Sequence, residues 1–195
     1  NEVLTECFEK VFHDYPEKID RIYHSDNWPV EPVEKNDEVC EYCGSDLEIV
    51  EKIKDVDILL TRTGCITRRV IAAAENLKVI GVGRGGPVNI NVAACTEKGI
   101  PVMYAPGRNS GAVAEFTICL MLAATRNIVS CHQSFHNEKK WRGDMYAYSY
   151  IGNELSNSTV GLVGFGAIGS KVTKILNTFG SKVVVYDPYI GEEEK

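Results

Sequence analysis

Three features are missing from the sequence: a concentrated run of lysine and arginine, a long apolar segment, and a secretory leader pattern. The 195 residues carry 27 acidic and 21 basic side chains, so the formal net charge is −6. Nucleic acids and anionic membranes select for clustered positive charge, and neither is expected as a partner. The uncharged stretch from Phe116 to Thr125 has ten residues, about half of a membrane span. The N-terminus shows no basic region followed by an apolar run.

The sequence also lacks the paired cysteine spacing of a disulfide framework or a zinc site. Its seven cysteines are an odd number scattered along the chain, which indicates a reducing compartment such as the cytoplasm. Cys40 and Cys43 form one C-x-x-C, but no second pair of ligands accompanies them. We interpret this pair as a coincidence and expect no metal site. Cys95 and Cys119 lie in apolar helical patterns, and we expect both in the core.

Short apolar runs alternate with helical patterns through the first half of the chain. We predict helices at Glu2–His13, Asp46–Ile53, Thr67–Glu75 and Asn89–Lys98, strands at Ile19–His24, Asp57–Thr61, Lys78–Val82 and Val102–Ala105, and a loop at Asp26–Asp37. This alternation is typical of βαβ units around a parallel sheet, with strands that are buried on both faces. The fold class is therefore expected to be α/β.

Pro106 and Gly107 interrupt this pattern, and a long helix is predicted from Ser110 to Asn127. Its residues are apolar almost all round, so we expect the helix to be buried between layers, or against a second domain or subunit. A second βαβ unit begins at Thr159. We accordingly predict two domains, residues 1–105 and 106–195.

The strongest motif is a G-x-G-x-x-G formed by Gly164, Gly166 and Gly169. It follows an apolar strand and opens an amphipathic helix, and the next predicted strand ends in Asp187. Such glycines permit a tight turn and a close approach of backbone to a pyrophosphate, and the N–H groups of the helix N-terminus bind phosphates. An acid after the second strand binds the ribose hydroxyls and disfavours a 2′-phosphate. The motif predicts an NAD site, and the alternative is a glycine-rich turn without a ligand.

Two weaker signals lie earlier in the chain. The segment Gly81–Pro87 contains four more glycines between a strand and a helix, and such a loop can hold a carboxylate or phosphate on its amides. Pro87 suits the first turn of the helix. Arg62 follows a strand end, where parallel sheets present ligand-binding groups. The alternatives are a tight connection without a ligand and a solvated arginine.

From about Asp57 to Tyr189 the chain resembles the D-isomer-specific 2-hydroxyacid dehydrogenases, most closely their phosphoglycerate-dehydrogenase-like branch. The matching stretches are Leu60–Thr63, Lys78–Asn89, Ala94–Pro101, Pro106–Phe116, Lys140–Trp141, Gly161–Gly169 and Tyr186–Pro188. The resemblance implies a flavodoxin-like substrate domain followed by a Rossmann-type NAD-binding domain. It also implies an NAD-dependent oxidoreductase of D-2-hydroxy acids.

The resemblance further implies roles for individual residues. Arg62 matches a substrate-contacting arginine, Gly85 and Gly86 match the loop that holds the substrate carboxylate, and Asn109 matches an asparagine of the interdomain cleft. The implied cofactor contacts are Gly164, Gly166, Ala167, Ile168, Gly169 and Asp187. The helix from residue 110 to 127 would form a homodimer interface.

Two departures from the family pattern accompany the resemblance. Asn91 stands where many members have aspartate, and either residue can cap a helix. The family's catalytic Arg, Glu and His match no residue up to Lys195, so we expect an incomplete NAD domain and no catalytic residue in this chain. Two alternatives stay open: an NAD-sensing protein without catalysis, like the corepressors on this fold, and an inactive fragment.

Overall fold

The computed structural model describes residues 2–14, 19–25 and 33–191. The chain divides into two compact units. The first comprises Asn1–Gly83 and Pro87–Tyr104, and the second comprises Arg84–Gly86 and Ala105–Lys195. The short segment Arg84–Gly86 therefore groups with the second unit, although it lies in the middle of the first in sequence. The assignment of substrate and cofactor binding to separate domains stays a prediction.

The first unit is an α/β layer around a three-stranded parallel sheet. Its elements are α1 (Glu2–Phe12), β1 (Glu34–Lys35), β2 (Cys40–Tyr42), α2 (Asp46–Ile53), β3 (Ile58–Thr61), α3 (Arg68–Ala73), β4 (Val79–Val82), α4 (Val92–Glu97) and β5 (Val102–Tyr104). The sheet has the order β3-β4-β5, and its three strands are parallel. Strands β1 and β2, which precede it in the chain, form a separate antiparallel pair. The helices follow the strands because parallel neighbours need a crossover connection.

The main apolar core of the first unit surrounds the central strand β4. Ile80 in the central strand is fully buried, as is Val70 in α3, and both belong to a cluster with residues of α2 and α4. Polar groups stabilise the helix ends. Ser45 accepts a hydrogen bond from Leu47 N at the start of α2, and Lys98 Nζ donates to the carbonyl oxygens of Ile71 and Ala74 at the end of α3.

The second unit begins with α5 (Ser110–Thr125) and α6 (Ile128–His132), which continues into a π-helical turn at Gln133–Asn137. Two short 3-10 turns follow at Gly143–Tyr146 and Leu155–Asn157, and then β6 (Thr159–Val163), α7 (Gly169–Phe179) and β7 (Lys182–Tyr186). Strands β6 and β7 pair in parallel, with Val163 opposite Tyr186. The core of the unit joins α5, α7 and β6 through a cluster that includes Ile118, Val160, Val172 and Leu176.

The predicted α/β class with parallel sheets is confirmed, and most predicted elements lie within a few residues of their observed bounds. Three local predictions are wrong. Residues 19–25 form no strand. The predicted loop Asp26–Asp37 contains the short strand β1, and its residues 26–32 lie outside the described ranges. Pro87 does not begin a helix, because α4 starts at Val92. Pro87 instead accepts a backbone hydrogen bond from Ile90 in a turn.

Burial also differs from the predictions at several apolar residues. Cys95 is buried as expected, but Cys119 is exposed on α5. Leu60 in β3 is 56% exposed, and Leu59 on the opposite face is only partly buried, so that strand is not buried on both faces as predicted. Helix α5 is also one-sided, because Ala114 and Ile118 are buried whereas Phe116 is 62% exposed. Composition alone could not distinguish a buried apolar side chain from an exposed one.

No single helix in the described ranges is long and apolar enough to cross a membrane, although Ser110–Thr125 and Ile128–Asn137, bent by 65°, reach the required length and apolarity as a pair.

Candidate functional site

The loop between β6 and α7 has the geometry that its glycines predict. Gly164 adopts a left-handed φ of 95°, which a residue with a side chain rarely takes. Its N–H donates to Tyr186 O at 2.8 Å and so extends the pairing of β6 with β7 into the loop. A Cβ at Gly169 would overlap the carbonyl oxygen of Gly164. The first and third glycines therefore allow the tight turn and the close packing of the helix start against it.

The centre of this loop presents unpaired backbone donors. Among the described residues, the N–H groups of Gly166, Ala167 and Ile168 have no hydrogen-bond partner. They precede α7, whose N-terminus carries the positive end of the helix dipole. A Cβ at Gly166 would meet no atom within 4 Å. Gly166 is not required by packing within the protein, and the space beside it suits a pyrophosphate.

Asp187 lies directly after β7 and contacts the glycine-rich loop. Its Oδ2 accepts a hydrogen bond from Phe165 N at 2.6 Å, and its Oδ1 accepts one from Tyr189 N at 2.8 Å. These two bonds, with that from Phe165 the stronger influence, hold the pKa of the Asp187 carboxyl below its usual range. Asp187 is therefore an ionised acceptor at neutral pH.

The segment Arg84–Gly86 belongs to the same unit as this loop. Arg84 O accepts a hydrogen bond from Ala105 N at 2.8 Å, which joins the segment to the chain that leads into α5. A Cβ added at Gly85 or Gly86 would meet no atom within 4 Å. The two glycines thus leave room beside their backbone, as a loop that binds a carboxylate requires.

Asn109 begins α5 and is exposed. Its backbone oxygen accepts a hydrogen bond from Val113 N, and its side chain makes no capping bond to the helix. Just before it, Gly107 has a φ of 73°, and a Cβ there would lie 3.7 Å from Ala167 Cβ in the glycine-rich loop. The start of α5 therefore lies beside the predicted cofactor loop.

Arg62 lies in the first unit, in the turn after β3, and its side chain is exposed. The turn is closed by a hydrogen bond from Gly64 N to Thr61 Oγ1, and Gly83 N donates to Thr61 O. Arg62 thus follows a fixed strand end, as predicted. Arg62 lies in the first unit, whereas Gly85, Gly86, Asn109 and the six predicted cofactor contacts all lie in the second.

Sequence reasoning missed two residues that shape these loops. Asn89 is fully buried, and its Nδ2 donates to Gly64 O at 2.8 Å, next to the Arg62 turn. Phe165 supplies the N–H that Asp187 binds. The position of Asp187 after a strand was a usable signal for an acid that contacts a cofactor, but its bond to Phe165 depends on how β6 and β7 align. Asn89 gave no signal beyond its position in a turn.

In the described ranges, no three His, Cys, Asp or Glu side chains are grouped as metal ligands would be. Cys43 is buried and Cys40 is partly buried, and neither forms a disulfide.

The family model for the catalytic domain of D-isomer-specific 2-hydroxyacid dehydrogenases matches residues 22–184. The chain belongs to this family. The match covers both units, including the Arg62 turn and the glycine-rich loop.

Relatives with assigned names agree with this placement. The chain is 47% identical over 147 residues to a D-3-phosphoglycerate dehydrogenase of Methanocaldococcus jannaschii, covering 75% of this chain and 27% of that protein. It is 39% identical over 142 residues to a hydroxypyruvate reductase of Thermotoga maritima, covering 72% and 45%. Among solved structures, it is similar to the NAD⁺-bound 3-phosphoglycerate dehydrogenase of Entamoeba histolytica, with a TM-score of 0.60 and 32% identity over 77% of this chain and 44% of that one. The chain thus spans between about a quarter and a half of the length of these relatives.

Proposed function

We propose that the whole protein is an NAD-dependent oxidoreductase of D-2-hydroxy acids, of the phosphoglycerate-dehydrogenase-like kind. The observation that carries the proposal is the loop from Gly164 to Gly169, with three N–H groups before α7 that have no partner among the described residues and an ionised Asp187 beside it. Family membership gives this loop its chemical context, because bound NAD exchanges a hydride with the C2 atom of a 2-hydroxy or 2-keto acid.

The preference for NAD over NADP rests on Asp187. An ionised carboxylate has about four acceptor positions, and the bonds from Phe165 and Tyr189 occupy two of them. Two positions stay available for the two hydroxyls of an adenosine ribose. A 2′-phosphate at the same place would bring negative charge against the carboxylate, which opposes NADP binding.

The substrate is proposed to bind through Arg62, Gly85, Gly86 and Asn109. Arginine forms paired hydrogen bonds with a carboxylate, and the open amides at Gly85 and Gly86 suit the same group. The backbone of Ala105 is hydrogen-bonded to both Arg84 and Arg108, and these two arginines add positive charge to this segment. We propose that they favour a substrate with a second anionic group, such as a phosphate.

These residues bind and orient, and we propose that they do not themselves transfer the proton that accompanies hydride transfer. That step needs an acid or base that titrates near neutral pH, most often a histidine. His13 pairs with Asp14, His24 lies beside Lys52 and Glu48, and the rings of His132 and His136 stack on each other at 5.2 Å. Residues 1–195 alone are therefore proposed to bind cofactor without turnover.

We also propose that the protein is a homodimer that contacts its partner through α5. Phe116 and Leu120 are 62% and 54% exposed on this helix, and apolar side chains grouped in this way mark contact surfaces. A cytoplasmic location is proposed as well, because in the described ranges none of the seven cysteines forms a disulfide.

The proposed function is tested by following NADH at 340 nm with the whole protein. The assay supplies NAD with D-3-phosphoglycerate or other D-2-hydroxy acids, with the L-isomers as controls. NADH formation from D-isomers only is the expected result. Absence of turnover with every D-2-hydroxy acid, or turnover of L-isomers at equal rates, would overturn the proposal.

A further inference from the structure

The acid that follows β7 contacts the glycine-rich loop directly. Phe165, the residue between Gly164 and Gly166, donates its N–H to Asp187 Oδ2 at 2.6 Å. The preceding residue, Gly164, is held to the same strand end by its bond to Tyr186 O. Consecutive residues of the loop are thus attached to the end of β7, the first by the backbone and the second by a side chain.

This attachment matters because glycines leave the loop little conformational preference of its own. Gly164 and Gly166 flank Phe165, and an unattached chain with two glycines samples many conformations. A hydrogen bond from a backbone N–H to an ionised carboxylate is stronger than one between neutral groups. The second bond, from Tyr189 N to Oδ1, fixes the carboxylate itself in place. The carboxylate is therefore held through both of its oxygens, and Oδ2 is the one that contacts the loop.

We propose that Asp187 is a positioning residue for the glycine-rich loop, which it sets in its phosphate-binding conformation before the cofactor arrives. The inference rests on the proposed function and deepens it. A carboxylate that only contacted the ribose would affect the choice between NAD and NADP. A carboxylate that also holds Phe165 affects how tightly the loop binds the pyrophosphate, which is common to both cofactors. Removal of Asp187 should then weaken NADH binding without a matching increase in the affinity for NADPH.

The first arm of the test needs no ligand. Amide hydrogen exchange is measured at Phe165 in the wild-type protein, Asp187→Ala, Asp187→Asn and the matched control Asp144→Ala. Asp144 is an exposed carboxylate of the same unit, paired with Arg142. We expect Phe165 to be protected in the wild type and in Asp144→Ala, and to exchange about tenfold faster or more in Asp187→Ala. Asp187→Asn retains one acceptor oxygen and should give an intermediate rate, because its amide nitrogen cannot accept the second N–H.

The second arm measures NADH and NADPH affinity for the same proteins. We expect Asp187→Ala to lose at least about tenfold in NADH affinity, while its NADPH affinity stays within about threefold of wild type. An unprotected Phe165 amide in the wild type would overturn the inference, as would tight NADPH binding by Asp187→Ala with Phe165 still protected. A wild-type protein with a protected Phe165 that binds no NADH would instead contradict the proposed function, so the two failures are distinguishable.

Discussion

The side-chain amide of Asn89 donates a 2.8 Å hydrogen bond to the carbonyl oxygen of Gly64, and Asn89 is fully buried. The backbone repeats this connection two residues later, where Ile66 N donates to Asn89 O. Asn89 thus ties the turn that carries Arg62 to the segment that follows the Gly81–Pro87 loop. A buried carbonyl that loses its donor costs about 1–3 kcal/mol.

The Asn89→Ala variant should therefore be less stable to unfolding by about 1–3 kcal/mol. Asn76→Ala makes the same change at an exposed position of the same unit and should stay within about 0.5 kcal/mol of wild type. Urea unfolding followed by circular dichroism measures both. Equal stability of the two variants would show that the Asn89 bond does not hold the turn.

Two glycines of the glycine-rich loop allow the stability of the fold and the binding of the ligand to be tested separately. A Cβ at Gly169 overlaps Gly164 O, so Gly169→Ala should destabilise the protein by about 1–3 kcal/mol. A Cβ at Gly166 meets nothing within 4 Å, so Gly166→Ala should unfold at nearly the wild-type temperature. It should nevertheless lose NADH affinity by about tenfold or more, because the methyl group occupies the proposed pyrophosphate space. Thermal unfolding and NADH titration of both variants check this pair, and a Gly166→Ala variant that binds NADH normally would contradict it.

Asn91 makes two contacts that together favour an amide over a carboxylate at this position. Its Oδ1 accepts from Ala94 N at the start of α4, as predicted, and its Nδ2 donates to Glu38 Oε2 at 2.7 Å. The same oxygen of Glu38 also accepts a hydrogen bond from Arg68 N. Both bonds lower the pKa of Glu38, and the bond from Arg68 has the larger effect. Glu38 thereby contributes stability that is present above its unfolded pKa of about 4.3 and is lost as pH falls through the lower folded value.

Asn91→Asp should remove the donor and place a second carboxylate against Glu38. We expect the loss of stability to reach about 1 kcal/mol at pH 7 and to shrink below about pH 4, where the carboxyls become protonated. Adding Glu38→Gln should restore stability at pH 7, since the glutamine amide can donate to the carboxylate introduced at position 91 in place of the lost bond. Denaturant unfolding from pH 3.5 to 7 measures the dependence, and a pH-independent loss would refute the repulsion.

The proposed dimer surface predicts an effect of Phe116. Phe116→Glu should shift the protein from dimer to monomer in sedimentation velocity, because a charge replaces an exposed apolar side chain on α5. Phe179→Glu, the same change at a 40% exposed position of α7, is the matched control and should leave the dimer intact. A dimer that persists in Phe116→Glu would exclude this part of α5 as its interface.

The sequence predicted elements well where local pattern determines them. The bounds of α2, Asp46–Ile53, follow from an N-cap serine and apolar spacing, and the strand–loop–helix around Gly164 follows from turn chemistry. Prediction from the sequence failed where strand pairing or burial depends on residues that are distant in the chain. Residues 19–25 contain strand-forming side chains but form no strand, and Cys119 and Phe116 are exposed despite their apolar helix. The Asp187–Phe165 bond also depends on how two strands align, which spacing alone could not show.

We propose that the loop from Gly164 to Gly169 forms an NAD site with Asp187, and titration of the folded whole protein with cofactor tests this proposal. Binding is followed by the change in NADH fluorescence, with NADPH titrated in parallel. We expect saturable binding of NADH and at least about tenfold weaker binding of NADPH, equivalent to about 1.4 kcal/mol. Absence of saturable NADH binding, or equal affinity for the two cofactors, would contradict it.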